Sequence, residues 1–298
     1  MESNAYFGTY EIIGKIAEGA FCDIFKVMKE GDYYALKKLK PYMMFDREYI
    51  PLLKTEALLL SKVKDQAHFP ILYDHGQINE ESFSILELVE GINLEDLIRI
   101  SFLKKETLSF RLVAKLLLEI CRGLEVLHHL DLMGDNPTVH GDLRASNVMV
   151  SATGEVKLID LGLKGGTFDY MPLERLHDRN LTFYTDIYAA GHILYELIHG
   201  KRLFGSAKTK LEAYFQMRDL QITDGLFEKV ESSEIRKILV KCLRQEPNFH
   251  YSEAGEMRAD LDEFLRVAGG PVDSKELGKI VKKFMIPQED ISNSCRCL

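Results

Sequence analysis

Hydrophobic and polar positions follow two different periods along this chain. Early on the period is close to two: residues 10–16, 22–28 and 33–39 each read as a strand, the first two joined by a turn over residues 17–21 around Gly19. One helix interrupts them. The fixed φ of Pro51 suits a first helical turn, and Leu52, Glu56, Leu59, Leu60 and Val63 then share one face. Residues 83–89 return to strand, Glu90-Gly91 breaks it, and residues 87–91 read as a connector. Beyond the connector the period becomes helical. Val113, Leu116, Leu117, Ile120, Leu124 and Leu127 line one packed face. Residues 186–199 are apolar almost all round, with Thr185 or Asp186 as N-cap and Gly200 as stop, which predicts a buried axis. Further helices are expected at 207–217, 232–243 and 254–267.

Between these helices lies a hairpin. Asn147 begins an apolar run, residues 151–154 form a turn, and 155–159 alternate, so the return sets Asp160 beside Asn147. After Gly269-Gly270-Pro271, the stripe Leu277, Ile280, Val281 and Phe284 predicts a short helix with Lys279, Lys282 and Lys283 on its other faces. Docking onto the larger part of the molecule is the expectation, and a membrane-surface helix the alternative. The predicted class is α+β in two lobes. Residues 1–88 form a small antiparallel lobe with one helix, 89–268 a larger, mainly helical lobe, and 269–298 a tail.

Composition narrows the function. A chain of 298 residues is too long for one compact core and suits two lobes with a cleft between them. Charged residues at 28% and a net charge of -8 describe an acidic globular protein with no charge-driven case for nucleic acid or anionic membrane. The five cysteines, Cys22, Cys121, Cys242, Cys295 and Cys297, are scattered and odd in number, which argues against a disulfide framework or a zinc site and for a reducing cytoplasm. No apolar leader and no apolar run of spanning length is present, so neither a secretory signal nor a membrane span is expected. Cys295-Arg296-Cys297-Leu298 spaces a cysteine and a leucine as a prenylation signal does, but Arg296 fits an aliphatic position badly, and an unmodified tail is expected.

The candidate chemistry sits in His140-Gly141-Asp142-Leu143-Arg144-Ala145-Ser146-Asn147 and in Asp160-Leu161-Gly162. Asn147 and Asp160, at the open end of the hairpin, supply two hard oxygen donors that suit Mg²⁺ shared with phosphates. Asp142, on the loop entering it, can accept a proton, and Arg144 can offset phosphoryl charge. Each residue alone would read as a turn or cap; together they read as a phosphoryl-transfer centre. Lys37, on Tyr34-Ala35-Leu36-Lys37, would alone read as a strand lysine reaching solvent. Glu56 interrupts an apolar helix face as a solvated edge residue or as half of an ion pair, with Lys37 its natural partner. The turn around Gly19 could close over phosphates, with one glycine where such loops usually carry three.

From about Tyr10 to Phe264 these residues, in this order, resemble the eukaryotic-type protein kinase family. The resemblance implies a bilobal kinase fold and ATP- and Mg²⁺-dependent phosphoryl transfer to Ser or Thr hydroxyls of a protein substrate. It makes Lys37 the lysine that holds the α and β phosphates, Glu56 its helix partner, Asp142 the base, with Arg144 beside it, and Asn147 and Asp160 the metal ligands. Ile16, Gly19, Ile24 and Ala35 take nucleotide-pocket positions, Leu86 that of the gatekeeper, and Glu87 to Val89 that of the adenine hinge. Residues 166–174 resemble the end of an activation segment, Thr167 its Ser/Thr-type threonine, and Asp186 the buried aspartate that steadies the catalytic loop.

Several positions depart from the family pattern. Gly141 stands for the phosphate-receiving arginine, Leu161 for a phenylalanine, Pro172-Leu173-Glu174 for Ala-Pro-Glu, and His250 for an arginine. Only six residues separate Asp160 from Thr167. Two expectations follow: activity without activation-segment phosphorylation, and a pH-sensitive pairing of Glu174 with His250. His-Gly-Asp is also the loop of aminoglycoside- and choline-type kinases, so a small-molecule kinase is one alternative. A catalytically silent, nucleotide-binding pseudokinase is the other.

Overall fold

A computed structural model describes residues 5–43, 49–132, 137–162, 167–178, 181–205, 207–218, 224–227, 229–246 and 248–285. The small lobe is a six-stranded antiparallel sheet in the order β1-β2-β3-β4-β6-β5. Its strands are β1 (Tyr6–Phe7), β2 (Tyr10–Glu18), β3 (Cys22–Lys29), β4 (Asp32–Leu39), β5 (Leu72–Ile78) and β6 (Glu81–Glu87). Strands β2, β3, β4 and β6 are those the alternation predicts, with β2 running two residues into the expected turn and β6 shifted two residues earlier than the expected 83–89. Helix α1 (Tyr49–Lys62) buries Leu53, Glu56, Ala57, Leu59 and Leu60.

The period-two pattern did not reveal β1 or β5. β1 has two residues, and β5 is a largely exposed edge strand of sequence Leu-Tyr-Asp-His-Gly-Gln-Ile, which shows no alternation. The connector runs from the end of β6 into β7 (Gly91–Asn93), which pairs with β8 (Val148–Ser151), itself paired with β9 (Val156–Leu158). The expected hairpin is therefore the β8–β9 pair, in register Val148↔Leu158.

The larger lobe is built around α3 (Phe110–His128) and α5 (Phe183–His199), with α2 (Leu94–Leu103) and α4 (Leu173–Asp178) beside them. Helix α3 buries every residue of its predicted stripe and starts from Ser109, whose hydroxyl accepts from the Leu112 N–H. Helix α5 is buried almost all round, as the sequence predicts, and Gly200 ends it at φ 69°. It starts three residues before the expected point, with Thr182 as N-cap. Asp186 was a plausible cap by residue type. In the structure both its oxygens are bonded to other chain segments, so it sits inside the first turn instead.

Helices α6 (Lys210–Arg218), α7 (Ser233–Leu243) and α8 (Ala254–Val267) follow. α6 begins three residues later than expected; the Ala207 N–H donates to Asp169 Oδ1 at 2.7 Å and ties that stretch to the activation segment. The last helix, α9 (Ser274–Phe284), buries Leu277, Val281 and Phe284 against α2, β7 and β8. This is the docked arrangement. It depends on two glycines, since a Cβ on Gly154 would lie 1.8 Å from the Ser274 carbonyl oxygen and one on Gly278 2.7 Å from that of Ala152. Cys22, Cys121 and Cys242 are free thiols, while Cys295 and Cys297 lie outside the described residues.

Candidate active site

Pairing in the small sheet fixes one face of the site. Ile24 is opposite Lys37 and Ala35 opposite Leu86, and opposed residues in an antiparallel pair share a face, so these four project together. Ile16 falls where the β2–β3 register shifts between Lys15 and Ala17. At the turn the Gly19 N–H donates to the Cys22 carbonyl at 2.9 Å. Lys37 is 6% exposed, so it does not reach solvent: its Nζ lies 2.6 Å from Glu56 Oε2 and 2.7 Å from Asp160 Oδ1.

Burial favours a neutral Lys37 amine, but the Asp160 and Glu56 carboxylates outweigh it and hold its pKa above the ordinary lysine value. The two carboxylates differ. Burial raises Glu56 despite Lys37, whereas for Asp160 the lysine outweighs burial and lowers it. At the connector, the Glu87 N–H donates to the Ile71 carbonyl at 2.8 Å. The Glu87 carboxylate accepts from Lys157 Nζ and from the Ile71 N–H, both at 3.1 Å. Val89 is half-buried in the connector beyond it.

The second face is the loop before β8. Asp186 accepts from the backbone N–H groups of His140 at 2.8 Å and Gly141 at 3.0 Å, and lies 3.0 Å from His128 Nε2. Burial pushes this carboxylate up, and the His128 contact with the backbone bonds pulls it below its ordinary value. Asn147 donates through Nδ2 to the Asp142 carbonyl at 2.8 Å and to Asp142 Oδ2 at 3.2 Å. Its Oδ1 accepts one longer bond, 3.3 Å, from the Ser146 hydroxyl. Asp160, two residues beyond the end of the partner strand, is held at φ 61°.

These donors fit the ion the sequence suggests: an amide oxygen and a carboxylate at adjoining strand ends are the few hard ligands Mg²⁺ takes from protein when phosphates and water complete its shell. Thr167 closes the loop from above, its hydroxyl donating to Asp142 Oδ1 at 3.1 Å and accepting from Arg144 Nη1 at 3.2 Å. Gly166, the first residue of the expected segment end, lies outside the described residues.

The sequence matches the Protein kinase domain family over residues 10–258. The chain belongs to the protein kinase family. Among its relatives, a probable serine/threonine-protein kinase of Clostridium perfringens is 21% identical, aligned over 95% of this chain and 43% of its own length. The serine/threonine-protein kinase PknB of Mycobacterium tuberculosis is 24% identical over 79% of this chain and 39% of its own. The chain therefore spans about two fifths of the length of these relatives. The crystal structure of the Mycobacterium tuberculosis PknI kinase domain superposes with a TM-score of 0.69 at 17% identity, covering 88% of this chain and 99% of that one, and shares its fold.

One expectation from the sequence is overturned. Glu174 does not pair with His250: its Oε1 accepts from the Thr182 hydroxyl at 2.8 Å. Thr182 caps α5, and the positive end of that helix is a favourable place for a carboxylate. His250 stacks on Tyr184 at 3.8 Å between centroids and lies 2.7 Å from the Tyr251 carbonyl through Nδ1. Sequence reasoning also missed Lys157, His128 and the contacts of Ser146. Their partners lie in distant segments or depend on the local turn, and only the burial of Lys157 on a three-residue strand sets it apart.

Proposed function

We propose that this chain transfers the γ-phosphoryl group of ATP to Ser or Thr hydroxyls of protein substrates. The observation that carries the reading is Lys37 bridging Glu56 and Asp160 across three separate elements while Asp142 and Asn147 stand on one rigidly held loop. Lys37 orients the α and β phosphates, and Glu56 holds Lys37. Ile16, Ile24, Ala35 and Leu86 enclose the base, Glu87 and Val89 edge it, and Gly19 lets the turn approach the phosphates. Asn147 and Asp160 would hold Mg²⁺, which when bound neutralises charge on the phosphates. Asp142 orients the acceptor hydroxyl and takes its proton as the oxygen attacks phosphorus. Arg144 offsets charge on the transferred group. Catalysis of this kind is mostly positioning and electrostatics, which suits a loop bonded at several points.

Thr167, bonded to both Asp142 and Arg144, supports a protein Ser/Thr acceptor over a small alcohol. The intact Lys37–Glu56–Asp160 set supports an enzyme over a silent binding module. No helix among the described residues is long and apolar enough to cross a membrane. The reading places the chain in the cytoplasm with a protein acceptor and no nucleic acid, supported by a net charge of -8. Radiolabelled ATP offered with generic protein acceptors, in parallel with aminoglycosides and choline-like alcohols, tests it. Label is expected on protein Ser or Thr. Label on a small alcohol alone, or none with nucleotide bound, would replace this reading with one of the alternatives.

A further inference from the structure

The backbone of the loop bearing Asp142 is held from three directions. Asp186 takes the N–H groups of His140 and Gly141, and the Gly162 N–H donates to the His140 carbonyl at 2.9 Å. The third hold is on the Gly141 carbonyl, which accepts from Arg175 Nη1 at 2.7 Å. Gly141 has φ 81°, a left-handed conformation that glycine adopts without strain.

Arg175 reaches the Gly141 carbonyl from α4. It stands in the first turn of α4, next to Glu174, and is 6% exposed. Burial lowers its pKa and the carboxylates of Asp186 and Asp142 oppose the shift; a guanidinium keeps its proton throughout. A cavity of about 10 Å³, room for one water, borders Gly141, Arg175 and Asp186. The segment before α4 is anchored on the same loop, through Thr167 to Asp142 and Arg144.

We propose that Arg175 is a positioning residue for phosphoryl transfer. Its charge-assisted bond to the Gly141 carbonyl locks α4 and the end of the activation segment to the loop that aims Asp142, without an added phosphate. This rests on the kinase reading above. A phosphate-receiving arginine on the loop would be ordered only after modification, whereas a cation supplied by α4 and bonded to backbone is in place as soon as the chain folds.

The test compares wild type with Arg175→Met, which keeps bulk without charge, and Arg175→Lys, which keeps one charged donor. Met should lower kcat roughly ten- to hundredfold, the range for one charged hydrogen bond, at unchanged nucleotide affinity. Lys should restore most of the loss, and phosphatase treatment should leave wild-type kcat unchanged. Amide hydrogen exchange at residues 140–143 reads the same contact without turnover, and Met should speed it at least tenfold. Wild-type kcat in the Met variant, unchanged exchange, equal loss of nucleotide affinity and kcat in both variants, or collapse of wild-type activity after phosphatase would each overturn the inference. Faster exchange in the Met variant of a chain that phosphorylates nothing would support the contact and count against the kinase reading alone.

Discussion

The two faces of the cleft are built on opposite principles. On the small-lobe face three side chains from separate elements, Lys37 on β4, Glu56 on α1 and Asp160 beyond β9, meet in charge-assisted side-chain hydrogen bonds. On the large-lobe face it is backbone that is held, with the peptide groups of His140 and Gly141 bonded to Asp186 and Arg175. A charge contact between separable elements can open when α1 swings, and it reports the position of that helix. A peptide bonded on both sides to buried groups has no such freedom. The proposed phosphoryl transfer would use both properties: a grip on nucleotide that can close and release, and a base whose direction does not change.

The largest effect should come from removing the residue that serves both faces. Asp160→Ala removes one partner of Lys37 and, under the proposed function, a ligand of Mg²⁺, and turnover should fall below detection in a steady-state ATP assay. Asp142→Asn should lose most turnover as well while binding nucleotide with wild-type affinity. Wild-type rates in either variant would remove the assignment.

The next effect separates the faces. Asp186→Ala leaves two buried amide donors unpaired and His128 without its carboxylate, and should cost about 3–5 kcal/mol of stability. Denaturant midpoints measure it. Glu56→Gln should show the contrasting pattern, because Lys37 keeps Asp160 and burial already raises the pKa of Glu56. Little or no loss of stability is expected, with kcat/KM for ATP roughly thirtyfold lower, about 2 kcal/mol. Equal losses of stability in Asp186→Ala and Glu56→Gln would erase the distinction between the faces.

What the sequence made legible follows the same division. Residues 140–147 and 160–162 are each contiguous, and a hairpin with a clear turn brings them together, so the meeting of Asn147 and Asp160 at its open end could be read directly. Helices α3, α5 and α8 were legible because burial on most of a face leaves a period. The short α2 was not identified, although Asn93 accepting from the Asp96 N–H, with acidic Glu95 and Asp96 in the first turn, is a start signal present in the sequence. The Glu174 contact went wrong for a different reason: its partner depends on where α5 begins, and that start was placed three residues late. Lys157 and the Arg175 bond depend on how distant segments pack, and local periodicity carries no information about that.

The smallest expected effect concerns the ground beneath the rigid face. Tyr170, at the end of the activation segment, donates its hydroxyl to Glu196 Oε1 on α5 at 2.6 Å, and both are buried. Burial pushes the Glu196 carboxyl up to about 7, against the Tyr170 bond and Arg202, which lower it. A folded pKa above the ordinary value of 4.5 means that the group's contribution to stability is fully present below about 4.5 and is lost as pH rises through about 7. His192, whose ring lies 5.4 Å from that of Tyr170, is held by burial at about 3 and stays neutral across this window, so it does not mask the effect. Glu196→Gln keeps a carbonyl acceptor for Tyr170 and removes the charge that appears on the alkaline side. The variant should therefore match wild type at pH 4 and exceed it by roughly 1–2 kcal/mol at pH 8, a discounted share of the full shift. Paired denaturant melts at the two pH values decide the matter: parallel behaviour, or a variant weaker at pH 8, would mean that Glu196 is charged and well solvated where the structure buries it.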